Sequence, residues 1–254
     1  MSDAVLTEFG DGVAVITINR PAVRNAVNRE VAEGVAAALD VLDAREDLSV
    51  GVITGAGGFF SAGMDLKAFV AGELPIVPGR GLCGFTEAPP AKPLIAAVEG
   101  PALAGGFEIA LACDLIVAAE DARFGLPEAK RGLVAAGGGL LRLPRRIPYQ
   151  VAMEFALTGD VLDARRAHAL GLVNRLTEKG GALAGARDLA AAVAANGPLA
   201  VRATKQVLVQ AADWSTAEQW TRQSAITDPV FASEDAREGA IAFAEKRAPH
   251  WRGR

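Results

Sequence analysis

The pattern of hydrophobic positions divides the chain into a first half in which strands alternate with helices and a second half that is almost entirely helical. Short apolar runs rich in β-branched residues predict buried strands. Four such runs lie at residues 13–18, 50–54, 93–98 and 115–118. Between them, helices are predicted from the N-cap Asn28 to about Ala44, and from Gly105 to about Ala112. Strands that alternate with helices favour a mostly parallel sheet with right-handed crossovers.

After about residue 137 the apolar spacing becomes helical. Helices are predicted at residues 139–146, 149–157, 164–170, 182–195, 199–211, 216–226 and 234–246. The strand, glycine, helix unit that recurs in the first half favours a spiral over an open doubly wound sheet. We therefore predict an α/β core over residues 1–195 and a C-terminal helical region over residues 196–254, without independent domains.

Residues 72–90 interrupt this pattern with four prolines and four glycines. They predict a long irregular segment. Segments of this length in compact proteins are often lids or binding loops, and they can be mobile.

Composition narrows the function classes. The chain is 51% hydrophobic and 22% charged, with a net charge of -4, which is typical of a folded globular protein and argues against a broad nucleic-acid surface. Cys83 and Cys113 are far apart and are interpreted as reduced thiols. Neither a signal peptide nor a membrane-spanning run is predicted, so we expect a cytoplasmic protein with no membrane partner.

Several kinds of catalytic site are excluded by the residue inventory. His168 and His250 are the only histidines, and the Gly-x-Ser-x-Gly elbow of many serine hydrolases is missing from the sequence. Zinc-binding clusters, a Walker loop and a dinucleotide-binding Gly-x-Gly-x-x-Gly after a strand are missing as well. The candidate catalytic groups that remain are carboxylates and backbone amides.

Two segments have the same architecture. The strand at 50–54 leads to Ala62-Gly63-Met64, and the strand at 93–98 leads to Ala104-Gly105-Gly106. Each segment places small residues where a helix begins and its first amides have no helical partner. Two such amides, brought together at adjacent strand ends, can form an oxyanion hole. The alternative is that these glycines only tighten the turns between strand and helix.

Glu108 is the only charged residue between Ala102 and Cys113. A carboxylate in such apolar surroundings is costly unless it is paired or its pKa rises, which suggests a functional group. The alternative is an acidic residue placed favourably in the first turn of a helix. Glu128 follows a turn and, by itself, can be a surface carboxylate paired with Lys130 or Arg131.

Residues 95–115 resemble the signature of the crotonase (enoyl-CoA hydratase/isomerase) superfamily, with Ala104-Gly105-Gly106, Glu108 and Cys113-Asp114 at the family's spacing. Other segments resemble family motifs in the same order along essentially the whole chain. They are Asn19-Arg20-Pro21 with Arg24-Asn25-Ala26, residues 60–66, 124–128, 157–160 and 167–173, and the C-terminal residues 242–247.

The resemblance implies a crotonase-like spiral of ββα units with a helical C-terminal trimerisation region, assembled as a homotrimer or a homohexamer (a dimer of trimers). It implies that the amides of Met64 and Gly105 hold a thioester oxygen and that Glu108 and Glu128 are the catalytic acid and base. Contacts to coenzyme A or substrate are implied for Arg24, Ala26, Ala62, Gly63, Asp65, Leu66 and Lys246. It implies no metal and no cofactor beyond the coenzyme A that the substrate carries.

The activity implied by the resemblance is reversible hydration of a trans-2-enoyl-CoA to a 3-hydroxyacyl-CoA, a reaction of fatty acid metabolism. Carnitinyl-CoA dehydratase, Δ3-Δ2 enoyl-CoA isomerase and non-catalytic acyl-CoA binding are the alternatives. One segment departs from the pattern of many hydratases, because Ala135-Ala136-Gly137-Gly138-Gly139 stands where they have Pro-Gly-Ala-Gly-Gly. The three glycines can line a narrow site by close backbone approach or can simply begin the next helix.

Overall fold

The computed structural model describes residues 3–254 as a mixed α/β fold. Its strands are β1 (Val5–Gly10), β2 (Val13–Ile18), β3 (Val50–Gly55), β4 (Ile76–Val77), β5 (Gly81–Leu82), β6 (Leu94–Val98), β7 (Pro101–Leu103), β8 (Leu115–Ala119), β9 (Arg123–Gly125), β10 (Val161–Asp163) and β11 (Arg175–Thr177). Its α-helices are α1 (Arg29–Ala44), α2 (Leu66–Val70), α3 (Gly105–Ala112), α4 (Gly139–Arg146), α5 (Tyr149–Thr158), α6 (Ala164–Ala169), α7 (Ala182–Ala194), α8 (Pro198–Gln210), α9 (Gln219–Phe231) and α10 (Glu234–Glu245).

The main sheet has the strand order β1-β2-β3-β6-β8-β11. From β2 to β11 all neighbours are parallel, and β1 joins as an antiparallel hairpin partner of β2. The mostly parallel sheet predicted from the alternation of strands and helices is therefore confirmed. Because its central strands are covered on both faces, they are apolar at nearly every position.

A second, smaller sheet has the order β10-β9-β7 and gives the fold its spiral form. After β6 leaves the main sheet, the chain forms β7 in the second sheet and then α3. After β8 it forms β9, which pairs parallel with β7 in the register Ala102↔Phe124. This strand, strand, helix unit confirms the predicted spiral, and it brings the start of α3 beside the segment that follows β9.

The core lies on both faces of the main sheet. On one face α1 and α3 supply Leu39 and Phe107, both essentially buried, and Phe107 packs on Phe124 with ring centroids 5.3 Å apart. On the other face α7 covers the central strands with small residues, including Ala186 and Ala190. Burying one large apolar side chain stabilises the folded state by roughly 1.5–3 kcal/mol. This packing therefore holds α1, α3 and α7 against the main sheet.

The predicted helices agree with the structure except near residue 216. The Asn28 N-cap is confirmed, because its side chain accepts a hydrogen bond from the Val31 amide at 3.1 Å. The helix predicted at 216–226 instead runs over Gln219–Phe231. Residues 216–218 form a turn before this helix. The Ser215 hydroxyl donates a hydrogen bond to the Glu218 carboxylate at 2.7 Å, so both side chains are paired within the turn.

The irregular segment at 72–90 is only partly a surface loop. It contains the two-stranded β4-β5 pair, and residues 81–86 are buried. Gly84 packs so tightly on α1 that a Cβ there would lie 2.5 Å from the Ala32 carbonyl oxygen. We call residues 81–87 the strap. Apart from the exposed Glu87, the strap is buried, and Leu82 and Glu87 line a cleft, as expected for a binding loop.

The helices α8, α9 and α10 follow the spiral, and α8 is tied to it by Lys205. The Lys205 ammonium donates to the Lys92 carbonyl at 2.9 Å and to Asp114 at 2.7 Å. The division of the chain at residue 195 stays a prediction. In residues 3–254 none of the helices has the length and apolar character needed to cross a membrane.

Candidate active site

A cleft of about 550 Å³ lies where the start of α3, the segment after β3 and the turn before α4 meet. Seven of the predicted site residues line it, namely Arg24, Ala62, Met64, Leu66, Gly105, Glu108 and Glu128. Much of its remaining wall is apolar, from Phe69, Leu74, Ile76, Leu82, Leu133 and Val134. An apolar cleft with a few convergent polar groups is the usual form of a small-molecule site.

Two backbone amides face each other in this cleft. Gly105 is the first residue of α3, so its N–H has no helical partner. Neither this N–H nor that of Met64 has a hydrogen-bond acceptor within residues 3–254. A Cβ on Gly105 would lie 3.4 Å from the Met64 nitrogen, so the two amides are close neighbours. They are therefore free to bind one oxygen atom of a ligand.

Ala104 sets the direction of the Gly105 amide. It has φ +51° and ψ -128°, a conformation that non-glycine residues rarely adopt. Its carbonyl accepts hydrogen bonds from Phe107 at 2.9 Å and Glu108 at 3.1 Å, and its own N–H donates to Gly125 at 2.8 Å. These bonds hold the strained residue in place, as expected where the local geometry serves a ligand.

The Met64 amide is held by a separate network. The Ser61 hydroxyl donates to the Asn25 carbonyl at 2.8 Å and accepts from the Gly63 amide at 3.1 Å. The buried Asn25 side chain donates in turn to the Phe59 carbonyl at 2.5 Å. Asn25 and Ser61 are therefore needed in their sequence motifs because their buried side chains hydrogen-bond the backbone and fix the turn before Met64.

Glu108 is the buried carboxylate of the cleft, with 3% of its surface exposed. Its Oε1 accepts a hydrogen bond from the Gly139 amide at 2.9 Å. Burial raises the pKa of Glu108, while hydrogen bonds from Gly139 and Gly137 and the charge of Arg142 oppose that rise. The amide partners favour the ionised form of this side chain, which makes it a candidate base.

Glu128 lies in a short 3-10 helix, Pro127–Arg131, and faces the same cleft. Its Oε2 is buried and has no hydrogen-bond partner within residues 3–254. Burial raises its pKa, and the nearby charge of Glu108 raises it further. The two carboxylates therefore differ in environment, because Glu108 accepts an amide hydrogen bond and Oε2 of Glu128 has no hydrogen-bond partner within residues 3–254.

The interpretation of Glu128 as a surface carboxylate paired with its neighbours is wrong. Lys130 pairs with Asp160 at 3.0 Å, and the guanidinium of Arg131 donates to the Pro127 carbonyl at 3.4 Å. Glu128 itself turns into the cleft. Of the glycines at 137–139, Gly137 lines the cleft, and a Cβ there would lie 2.8 Å from Oε2 of Glu108, whereas Gly139 begins α4.

Four of the predicted contact residues do not line the cleft of this chain. Ala26, Gly63 and Asp65 are close neighbours of residues that do, and Asp65 caps α2 while pairing with Arg20 at 3.0 Å. Partial burial opposes the ionisation of Asp65, but hydrogen bonds from Arg20, Ala68 and Lys67 outweigh it and hold its pKa below the usual value. Lys246 ends α10 outside the cleft, and its contact with coenzyme A stays a prediction.

Leu82 is a site residue that sequence reasoning missed. Its Cδ2 would lie 3.1 Å from a Cβ on Gly105 and 2.6 Å from one on Gly137, so it fills the space between these two glycines. It comes from the strap, where no local pattern marks it as part of a site. The sequence signal near Leu82 is the pair of glycines that flank it, Gly81 and Gly84. Both adopt positive φ in the structure, and such glycines indicate a tightly packed turn.

Comparison with known proteins gives consistent results. The model of a family described as enoyl-CoA hydratase/isomerase matches residues 8–254. A relative named enoyl-CoA hydratase EchA19, from Mycobacterium tuberculosis, is 43% identical over 99% of this chain and 97% of its own length. A carnitinyl-CoA dehydratase from Salmonella typhi is 42% identical over 100% of both chains. The crystal structure of enoyl-CoA hydratase EchA1 from Mycobacterium marinum has a TM-score of 0.98 at 62% identity over 100% of both chains.

Proposed function

Because this chain belongs to the enoyl-CoA hydratase/isomerase family, we propose that it catalyses the reversible hydration of a trans-2-enoyl-CoA to a 3-hydroxyacyl-CoA. The observation that carries the proposal is the pair of unlike carboxylates beside two unpartnered amides. Glu108 accepts an amide hydrogen bond, and Oε2 of Glu128 is buried with no hydrogen-bond partner within residues 3–254. Hydration needs one group to take a proton from water and another to give a proton to carbon, and two such environments suit those tasks.

In the proposed reaction the Met64 and Gly105 amides bind the thioester oxygen and stabilise the negative charge that develops on it. Glu108 takes a proton from a water molecule as the water oxygen bonds to the β-carbon. Glu128 gives its proton to the α-carbon, and the thioester carbonyl re-forms. The net change is the addition of one water molecule, with coenzyme A carried by the substrate and no other cofactor involved.

Dehydration of a carnitinyl-CoA is a second candidate function, since relatives with that name match the full chain at 41–42% identity. One residue favours it. Glu87 lines the cleft, and its carboxylate has no ion pair within residues 3–254. A carboxylate in that position can face the cationic end of such a substrate.

Assembly into a homotrimer or a dimer of trimers through residues 196–254 is part of the proposal. Large apolar side chains of this region are exposed in the single chain, with Leu208 at 74%, Phe231 at 81% and Phe243 at 87%. Exposed apolar surface of this kind marks an interaction site. Light scattering on the wild type, and on a Phe231→Ser, Phe243→Ser variant, tests this, with a smaller assembly expected for the variant.

The activity is tested by following the loss of the conjugated-thioester absorbance of short and long trans-2-enoyl-CoAs. The expected product is the 3-hydroxyacyl-CoA, identified by mass spectrometry. Turnover of carnitinyl-CoA alone supports the dehydratase function instead. Conversion of a 3-enoyl-CoA without hydration supports an isomerase. Tight binding of all these thioesters without turnover overturns the enzymatic proposal and supports acyl-CoA binding.

A further inference from the structure

Arg142 lies in the first turn of α4, behind the candidate active site. It lines a second cleft, of about 770 Å³, and is not among the residues that line the candidate active site. Four other cations border that cleft, namely Arg145, Arg146, Arg202 and Lys205. Arg142 is therefore not placed to touch a ligand in the catalytic cleft, and its effect on that cleft has to pass through other residues.

Two contacts fix the guanidinium of Arg142. Its Nη2 donates a hydrogen bond to the carbonyl of Thr86, a strap residue that is 1% exposed. On its other side the guanidinium lies against Gly138, where a Cβ would overlap Nη1. Gly138 has φ +99°, so glycine is needed here both for the conformation of the backbone and to leave room for the guanidinium. Arg142 thus joins the turn at 137–139 to the strap.

Both of the joined segments touch the site directly. Gly139 donates its amide hydrogen bond to Oε1 of Glu108 at 2.9 Å. A Cβ on Gly137 would lie 2.8 Å from Oε2 of Glu108 and 2.6 Å from Cδ2 of Leu82 in the strap. The carboxylate, the turn and the strap are therefore in contact with one another, and Arg142 is the side chain that links the turn to the strap from behind.

Arg142 is surrounded by both like and opposite charges. Glu108 faces Glu128 from the 3-10 helix and Arg142 from α4, while Arg142 faces Arg145 and Arg146 on its own helix, together with the Cys113 thiol. Burial lowers the pKa of Arg142, and Arg146 lowers it further, so this cation sits where it is disfavoured. The negative charge of Glu108 favours the protonated, cationic form of Arg142. The positive charge of Arg142 in turn favours the ionised form of Glu108.

We propose that Arg142 is a positioning residue for hydration, which clamps the turn at 137–139 against the strap and thereby fixes the Glu108 carboxylate at the reacting β-carbon. The inference rests on the proposed function, because Glu108 must act as the base for its position to matter. A planar guanidinium can bond the Thr86 carbonyl through Nη2 while its Nη1 lies against Gly138, and an ammonium cannot reproduce that shape.

The test compares Arg142→Gln and Arg142→Lys with the matched control Arg145→Gln. Arg145 is exposed, lies on the same helix and borders the same cleft, and its side chain forms no hydrogen bond or ion pair within residues 3–254. For Arg142→Gln we expect kcat to fall about 10- to 100-fold, because small displacements of a catalytic group have effects of that size. KM should change by less than about threefold, since no ligand contact is removed.

The pH profile separates positioning from a purely structural role. Loss of the Arg142 charge removes a group that favours ionised Glu108, so the acid limb of kcat/KM should move to higher pH in Arg142→Gln. Arg142→Lys keeps the charge, so its acid limb should stay near that of the wild type while kcat still falls. Arg145→Gln should match the wild type in both quantities.

The proposal is overturned if Arg142→Gln matches Arg145→Gln in kcat and in pH profile. It is also overturned if the Gln and Lys variants lose the same activity with unmoved acid limbs and equally lowered melting temperatures. If the Gln variant does not fold, the Lys variant decides, since a wild-type kcat in that variant contradicts the clamp. Failure of the proposed function is distinct, because it is seen as a wild-type protein that hydrates none of the enoyl-CoAs.

Discussion

Gly63 lies so close to Gly105 that a Cβ at position 63 would be 2.6 Å from the Gly105 amide nitrogen. Gly63 also has φ +85°, a conformation that other residues adopt only with strain. Since Met64 follows it directly, this one glycine allows the two unpartnered amides to converge. The proposed oxyanion-binding arrangement thus depends on a missing side chain as much as on the amides themselves.

Gly63→Ala should abolish most of the activity. The new methyl group forces the Met64 and Gly105 amides apart, and loss of one oxyanion donor lowers kcat about 100-fold or more. We expect the free energy of unfolding to fall by roughly 1–3 kcal/mol because of the strained φ. Steady-state kinetics and denaturant unfolding check the two effects.

Gly72→Ala is the matched control for this substitution. Gly72 has φ +83°, nearly the same as Gly63, but nothing lies within 4 Å of its Cβ position. Its variant should lose about 1 kcal/mol of stability and keep kcat within about twofold. If Gly63→Ala behaves like Gly72→Ala in kinetics, the close approach of Gly63 to Gly105 has no catalytic role.

Glu128→Gln should be more stable than the wild type at pH 8. Burial and the charge of Glu108 raise the pKa of Glu128, so at high pH the folded protein holds a carboxylate that is easier to ionise in the unfolded chain. Removing that carboxylate raises the melting temperature, by roughly 2–4 °C for each kcal/mol gained. The gain should shrink as the pH falls and should vanish below about pH 4, where the side chain is protonated in both states.

The control for this measurement is Glu33→Gln on the exposed face of α1. It should leave the melting temperature unchanged within about 1 °C at every pH, as is usual for surface substitutions. A Glu128→Gln protein that is less stable than the wild type at pH 8 contradicts the burial of Oε2 without a hydrogen-bond partner.

Arg24→Gln should weaken binding of the nucleotide part of the substrate. Arg24 lines the cleft beside Ala62, and its guanidinium has no ion pair within residues 3–254. Loss of one charge-assisted bond to a phosphate should raise KM for an enoyl-CoA about tenfold. KM for the matching enoyl-pantetheine thioester, which carries no nucleotide, should stay within about twofold.

Arg29→Gln serves as the control, because Arg29 is exposed and does not line the cleft. Both thioesters should bind to it as they do to the wild type. An equal rise of KM for the two thioesters in Arg24→Gln would show that Arg24 acts on the acyl or pantetheine part instead.

The central strands and most helices could be predicted from the sequence, because each is encoded by a local apolar pattern. The run at 93–98 and the helix from Gly105 are examples. The strand Pro101–Leu103 could not, since it has three residues, begins with proline and owes its strand form to pairing with Arg123–Gly125. The short strands of the second sheet form only because segments far apart in the sequence pair with one another in the folded chain.

The same distinction applies to the site. Glu108 stands out in the sequence as the only charge in an apolar helix, so its role could be suspected from local composition. Glu128 has two cations nearby in its turn, and nothing local shows that Lys130 pairs with Asp160 and leaves Glu128 to the cleft. The resemblance to a family pointed to Glu128 as a candidate, and packing between distant segments explains why it lines the cleft.

The most direct test of the account is the hydration rate of Glu108→Gln, Glu128→Gln and the double variant, with Glu33→Gln as the control. Each single substitution should lower kcat by roughly 10²–10⁴-fold, the usual contribution of an acid or base. The double variant should be little slower than the less active single variant, because the addition of water needs both proton transfers. Binding of a non-reactive acyl-CoA should be retained throughout. A double variant that hydrates the enoyl-CoA within about tenfold of the wild-type rate would contradict the assignment of Glu108 and Glu128 as base and acid.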